Sequence, residues 1–146
     1  MSNRFVLEQA PGHLIRRAHQ ISVAVFTEDV APHAVTPVQF AILNTLSEQS
    51  GIDQITLAQR VAFDAATIGS VIGRLEKKGW LRGQADQADR RRKLLWLTPE
   101  GEQAVTTLKP IVDTVQQRIL EPLTADEQAQ LARLLNKLVT HHPRRA

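Results

Sequence analysis

The sequence contains no cysteine, no apolar run long enough to span a membrane and no secretory signal pattern. The lack of cysteine excludes disulfide bonds, thiolate metal ligands and redox sensing through a thiol. A membrane helix needs roughly 18 consecutive apolar residues, and a secretory signal needs a shorter apolar core before a small-residue cleavage site. Because neither pattern occurs, we expect a cytoplasmic protein with no membrane partner.

The sequence also lacks the common patterns of enzyme active sites. It has no glycine-rich phosphate loop, no His-Glu-x-x-His helix and no nucleophile elbow. Five histidines are present, but only His141 and His142 are neighbours, so the set does not have the spacing of a metal site. We therefore predict a protein that is not an enzyme and that uses neither a metal nor another cofactor.

The composition is that of one folded subunit spanning residues 1–146. Hydrophobic residues make up 42% of the 146 positions, which is enough to bury a core, and the 23% of charged residues are spread along the chain. The formal net charge is only +3, so the total charge is a weak indication of a polyanionic partner. The positions of the charged residues must therefore decide whether the partner is a polyanion.

Hydrophobic spacing and capping residues predict six helices and one β-hairpin, so the expected fold is mainly α with a small hairpin wing. Apolar residues recur every three or four positions in the helical segments and are concentrated in the two strands. The helices are expected from Pro11 to Pro32, from Pro37 to Glu48, after a cap at Thr56, from Ala65 to Lys78, from Thr98 to about Leu120 and from Thr124 through Leu138, and the strands at 80–82 and 93–97.

The third and fourth helices are short and separated by a tight turn, which is the arrangement of a helix-turn-helix that enters the major groove of DNA. The apolar stripe of the fourth helix leaves small and polar side chains facing outward. Arginine can offer paired donors to a guanine or a phosphate, and hydroxyl groups can bond base edges or backbone oxygens. The predicted DNA contacts on this helix are Thr67, Ser70, Arg74 and Lys77. The alternative is an ordinary solvated helix face.

The tip of the hairpin carries a charged run from Asp89 to Lys93. Arginines on such a wing can enter a narrow minor groove, so we predict that Arg90, Arg91 and Arg92 contact DNA. Asp89 is unusual on a surface that faces phosphates, and we expect it to orient Arg91 or Arg74 through a charge-assisted hydrogen bond. The hairpin completes a winged helix-turn-helix over residues 36–98. The alternative is a basic turn with no partner.

Three segments resemble the MarR family of transcriptional regulators. They are Leu57-Ala58 in the first helix of the helix-turn-helix, RLEKKG from Arg74 to Gly79, and DRRRKLLWLTPEG from Asp89 to Gly101. The last segment contains Asp-x-Arg followed by Leu-Thr-x-x-Gly, a specific combination in a helical context. The chain departs from the family at Gly69-Ser70, where many members have an arginine or another polar pair.

The resemblance implies a homodimer in which dimerisation helices at 11–32 and 99–141 of the two subunits interlock and carry a DNA-binding lobe on either side. The final helices contain more apolar residues than one layer over a small lobe needs, which agrees with such an interface. Two recognition helices related by a twofold axis read a pseudo-palindrome in double-stranded DNA, with half-sites about 10 bp apart.

The segments PGHLIRRAHQ, QFAILNTL and DAATIGSVIGRLEKKGW look most like the branch of the family that controls aromatic-acid catabolism. This resemblance implies a ligand-responsive repressor that leaves DNA when a small aromatic carboxylate binds. On the first helix, Arg16 can pair with the carboxylate, His19 can bond a ring substituent, and Val23 and Phe26 can cover the ring. The branch favours Arg16 over Arg17 as the carboxylate ligand.

Three alternatives to this hypothesis stay open at the level of sequence. The side chains on the first helix can be ordinary surface or interface residues. The regulator can respond to other phenolic or drug-like compounds instead of aromatic acids. The winged helix can also bind an acidic protein rather than DNA, and the salt dependence of DNA binding separates these two partners.

Overall fold

The computed structural model describes residues 4–142, and this part of the chain forms six α-helices and a three-stranded antiparallel sheet. The helices are α1 (Pro11–Val30), α2 (Pro37–Glu48), α3 (Gln54–Arg60), α4 (Ala65–Lys77), α5 (Pro99–Leu120) and α6 (Ala125–His141). The strands are β1 (Ile52–Asp53), β2 (Leu81–Ala85) and β3 (Lys93–Leu97), in the order β1-β3-β2. The predicted mainly helical fold with a small winged sheet is confirmed.

Threonine side chains cap the starts of three of these helices. Thr36 before α2 and Thr124 before α6 each accept the backbone N–H three residues later at 3.2 Å, and in both cases the side chain at that position bonds back to the threonine N–H. Thr98 accepts the N–H three residues later at 3.1 Å and begins α5. These bonds satisfy N–H groups that a helix start leaves without a partner.

The predicted start of α3 is wrong. Asp53, and not Thr56, is the cap, because the Asp53 carboxylate accepts the backbone N–H of Thr56 at 2.6 Å. Asp53 also pairs with Leu94 of β3, so the chain passes from a strand directly into the helix. A strand of two residues is too short to show an alternating pattern, which is why the sequence predicted only the two strands of the hairpin.

Buried apolar side chains form two clusters, and Trp80 packs against both of them. The first cluster joins α2, α3, α4 and the sheet and includes Leu43 and Ile72. The second joins α1 to α5 and includes Phe26 and Leu108. Because Trp80 packs against both clusters, the lobe that contains the helix-turn-helix and the α1–α5 pair share one indole ring in their packing.

Within residues 4–142 no single helix is long and apolar enough to cross a membrane, and α3 with α4 passes that test only as a bent pair.

Gly101 lies in the first turn of α5, where this helix crosses the chain between α4 and β2. A Cβ built on Gly101 lies 2.0 Å from the carbonyl oxygen of Trp80. The same oxygen accepts the backbone N–H of Thr98 at 3.1 Å, so it cannot move away without breaking that bond. The close approach of α5 to the lobe that contains the helix-turn-helix therefore requires a residue without a side chain at this position.

We expect Gly101→Ala to lower the free energy of unfolding by about 2–3 kcal/mol, because overpacking forces a backbone shift. Urea unfolding followed by circular dichroism measures the change. The matched control is Gly73→Ala in α4, where a Cβ meets nothing within 4 Å. This control is expected to leave the stability unchanged or to raise it by up to about 1 kcal/mol. Equal unfolding midpoints for Gly101→Ala and the unmodified protein would show that the contact is not tight.

Candidate functional site

Helices α3 and α4 form the helix-turn-helix, and they are bent by 103° at the turn between them. Asp64 closes the turn by accepting the backbone N–H of Ala66 at 2.8 Å, which begins α4. Gly69 of α4 faces α3, since a Cβ at this position would lie 3.3 Å from Gln54 Nε2. The glycine of the Gly69-Ser70 pair therefore allows the two helices to pack closely.

The outer face of α4 presents the four residues that the sequence predicts as DNA contacts. The inner face buries Ile68, Ile72 and Leu75, whereas Thr67, Ser70, Arg74 and Lys77 are all exposed. Ser70 Oγ donates to the carbonyl oxygen of Thr67 at 2.9 Å, which leaves its lone pairs available to a DNA donor. Within residues 4–142 the side chains of Arg74 and Lys77 have no hydrogen-bond or ion-pair partner. Both cations are thus available to an external partner.

The tip of the wing carries two outward-facing arginines. Arg91 Nε lies 3.3 Å from Asp89 Oδ1, and the same oxygen accepts the Arg91 backbone N–H at 3.1 Å. The Arg91 side chain is nevertheless 92% exposed. Arg90 is also exposed, and its side chain has no partner in the described part of the chain. In this structure Asp89 therefore contacts Arg91 and not Arg74, and it holds that arginine at the tip.

Arg92 lies at the base of the wing, with its guanidinium against two carboxylates. Its Nη2 and Nε donate to Asp53 Oδ2 at 2.6 Å and 2.9 Å, and its Nη1 lies 3.6 Å from Asp86. The Thr56 N–H and Arg92 together hold the pKa of Asp53 below its ordinary value, although burial acts against them. The hydrogen bond to Asp53 in turn raises the pKa of Arg92. The sequence predicts Arg92 as a DNA contact, whereas here three of its nitrogens face carboxylates and tie the wing to the start of α3.

A second ion pair fixes the wing from the other side. Lys93 Nζ of β3 lies 2.6 Å from Glu76 Oε1 near the end of α4. Sequence reasoning missed both Asp53 and Glu76, because these carboxylates lie 39 and 17 residues before their partners. No local spacing indicates such pairs. The wing is therefore attached to both helices of the helix-turn-helix, and its tip alone is free.

A cavity of about 350 Å³ lies between α1, α2, α5 and the end of α3. His19, Val23 and Phe26 of α1 line it, so the structure brings three of the four predicted effector residues together. Arg16 does not line the cavity, and it lies on the exposed surface of α1 one turn before His19. Arg17 donates to Gln20 at 2.8 Å. The remaining lining residues are Ser22, Pro37, Phe40, Ala41, Asn44, Thr45, Arg60, Val61, Val112, Val115 and Gln116.

The cavity wall is mostly apolar and carries one formally charged side chain, Arg60 at the end of α3. No carboxylate lines it. Asn44 Oδ1 in the wall is buried and has no hydrogen-bond partner, so it can accept a bond from a ligand hydroxyl. Sequence reasoning missed Arg60, because a pattern on α1 gives no information about a residue that reaches the cavity from another helix. An apolar cavity with few polar groups and one cation suits a small organic anion.

Comparisons with known proteins agree on one family. The model of the MarR family matches residues 35–93. The transcriptional regulator HosA of Escherichia coli is 31% identical over 127 residues, which cover 87% of this chain and 93% of HosA. The chain belongs to the MarR family of transcriptional regulators.

Two solved structures show that the similarity covers nearly the whole chain. Bordetella bronchiseptica BpsR, whose DNA binding is regulated by 6-hydroxynicotinic acid, has a TM-score of 0.89 and 31% identity, covering 94% of this chain and 98% of BpsR. Streptomyces coelicolor PcaV in complex with its natural ligand has a TM-score of 0.86 and 36% identity, covering 94% of this chain and 96% of PcaV. The family and these relatives are regulators of transcription rather than enzymes.

The last helix of this MarR-family regulator has an unpartnered apolar face. None of the 17 residues of α6 is buried. Its apolar side chains are half exposed, and further exposed apolar residues lie on α1. These residues are Leu134, Leu135, Leu138 and Val139 on α6 and Leu14, Ile15 and Ile21 on α1. A surface of this kind is typical of an interface between subunits.

Proposed function

We propose that this regulator binds a pseudo-palindromic operator as a homodimer, represses transcription from it, and is released when a small aromatic carboxylate occupies the cavity. Residues 36–98 form the DNA-binding lobe in this proposal, and the helical segments 11–32 and 99–141 form the dimer. The observation that carries it is the position of the cavity, whose wall combines α1 and α5 with the end of α3. One ligand can therefore contact the dimer helices and the helix-turn-helix at once.

The DNA step rests on the cations that have no other role within the described chain. Arg74 and Lys77 on α4, with Arg90 and Arg91 on the wing tip, project from one lobe. Helix α4 suits the major groove and the wing suits the neighbouring minor groove. Arg92 and Lys93 hold the wing in place through Asp53 and Glu76, so this proposal gives them a positioning role.

The experiment for the DNA step is selection of duplexes from a random pool with the intact protein, followed by footprinting. We expect a symmetric site with half-sites about 10 bp apart. We further expect Arg91→Ala to reduce the slope of log affinity against log salt by about one for each subunit that loses a phosphate contact. Fluorescence anisotropy of a labelled duplex measures this slope.

The matched control for this slope is Lys109→Ala, which removes an exposed cation from the middle of α5. It is expected to leave the slope unchanged, because Lys109 lies ten residues from the helix start, about 15 Å away along the axis. Binding that does not depend on salt, or no binding to any duplex at low salt, would argue for a protein partner instead of DNA.

The effector step rests on the cavity and on the ligands that relatives bind. The apolar wall with one arginine suits an aromatic ring that bears a carboxylate. BpsR is regulated by 6-hydroxynicotinic acid, an acid of this chemical class. A ligand shifts an equilibrium only if it binds one arrangement better than the other, so we expect the acid to favour a spacing of the two lobes that does not match the operator.

A further inference from the structure

Arg60 is the last residue of α3 and the one formally charged side chain in the cavity wall. We propose that Arg60, rather than Arg16, receives the carboxylate of the bound acid, and that this contact transmits ligand binding to the helix-turn-helix. The proposal rests on the proposed function, since it assigns the anion-binding residue of the same cavity. Its physical basis is the cavity wall, the present partners of Arg60 and the position of α3.

The charges around the cavity favour this assignment. An acid bound there meets no carboxylate in the wall, which also includes His19 of α1. Arg16 lies on the exposed outer surface of α1 and does not line the cavity. A carboxylate inside a partly enclosed, apolar cavity loses water and gains most from a cation that is already in the wall. Arg60 is that cation.

The present partners of Arg60 are weak enough to be replaced. Its Nη1 donates to Gln49 Oε1 at 2.8 Å, and its Nη2 lies 3.7 Å from Glu48 Oε2. The side chains of Arg60 and Glu48 are 38% and 56% exposed, and such solvated pairs contribute little. A ligand carboxylate can accept two parallel N–H bonds from one guanidinium, which is a stronger arrangement. We therefore expect the acid to draw Arg60 away from the end of α2.

The position of Arg60 gives this exchange a consequence for DNA binding. Helix α3 is only seven residues long, with Arg60 at one end and the Asp53 cap at the other. Asp53 binds Arg92 of the wing, and α3 packs on the recognition helix α4. A displacement of Arg60 therefore acts on a short helix that supports both the wing and the recognition helix α4. Because coupling between two sites is reciprocal, operator DNA is expected to weaken acid binding by the factor by which the acid weakens operator binding.

The test compares acids with their neutral amides. Isothermal titration calorimetry of benzoate and the monohydroxybenzoates, each against the corresponding benzamide, is carried out on the intact protein and on Arg60→Gln. We expect the intact protein to prefer the acid by at least about tenfold, because a charged hydrogen-bonded pair is lost in the amide. In Arg60→Gln this preference should fall below about threefold, while amide affinity changes little. Lys109→Gln is the control for general loss of positive charge.

Two further variants make the outcome independent of the folding of Arg60→Gln. Glu48→Gln removes the competing carboxylate and should raise acid affinity a few-fold without changing amide affinity. Arg16→Gln tests the competing assignment. An undiminished acid preference in folded Arg60→Gln, no gain in Glu48→Gln, or a loss of preference in Arg16→Gln alone would overturn the assignment to Arg60. If the intact protein binds its operator but no acid releases it, the proposed function fails instead.

Discussion

Replacing Leu135 with aspartate is expected to convert the proposed dimer into monomers and to weaken operator binding by at least about 100-fold. Leu135 lies on the exposed apolar face of α6, a helix with no buried residue in the single chain. A carboxylate buried in an apolar interface without a partner is strongly unfavourable. Loss of the dimer separates the two DNA-binding lobes. Two linked lobes typically bind DNA about 10²–10⁴ times more tightly than a single lobe does. Sedimentation equilibrium and fluorescence anisotropy measure the two effects.

The matched control is Asn136→Asp, which places the same carboxylate at the next position of α6, on a side chain that is polar and exposed. This variant is expected to remain dimeric and to bind the operator normally. A Leu135→Asp protein that sediments as a dimer with full operator affinity would show that α6 does not form the interface.

The second large effect is expected from Arg74→Glu on the outer face of α4. This substitution should lower operator affinity by at least about 100-fold. It removes a hydrogen-bond donor to DNA from the recognition helix of each subunit and adds a carboxylate that the DNA phosphates repel. The free energy of unfolding should change by less than about 0.5 kcal/mol, because Arg74 is exposed and its side chain has no partner in the described part of the chain. Anisotropy with the selected duplex and urea unfolding give both values.

Lys109→Glu makes the same charge reversal on α5 and is the control for the change in net charge. It should weaken operator binding far less than Arg74→Glu does. If the two variants bind the operator equally well, Arg74 does not contact DNA, and the recognition surface must lie elsewhere on the lobe.

Most of the helices could be predicted from the sequence because their ends depend on neighbouring residues. A threonine before a turn of helix, as at Thr36, Thr98 and Thr124, satisfies N–H groups only two or three positions away. The same local reasoning failed at α3, where the competing cap Asp53 sits in a strand that exists only because Leu94 and Leu95 pair with it. The strand β1 depends on the tertiary fold, and no pattern of two residues can indicate it.

The residues of the candidate site likewise divide into those that the sequence could predict and those that only the fold reveals. The outward face of α4 follows from helical periodicity, and the basic wing tip follows from the run of charges after Asp89. The ion pairs of Arg92 with Asp53 and of Lys93 with Glu76 join elements that only the fold brings together. For the cavity, the spacing on α1 identified His19, Val23 and Phe26, which share a helix. Arg60 enters from α3, and its position depends on how two helices pack.

Ligand-controlled DNA binding is tested most directly by titrating benzoate and the monohydroxybenzoates into the complex of the intact protein with its selected operator. We predict that at least one of these acids releases the operator, with a fall in affinity of about 5-fold to 150-fold at saturation, the usual range for coupling between two sites. The corresponding amides should release it much less. Intact operator binding that none of these acids weakens would contradict an aromatic carboxylate as the effector.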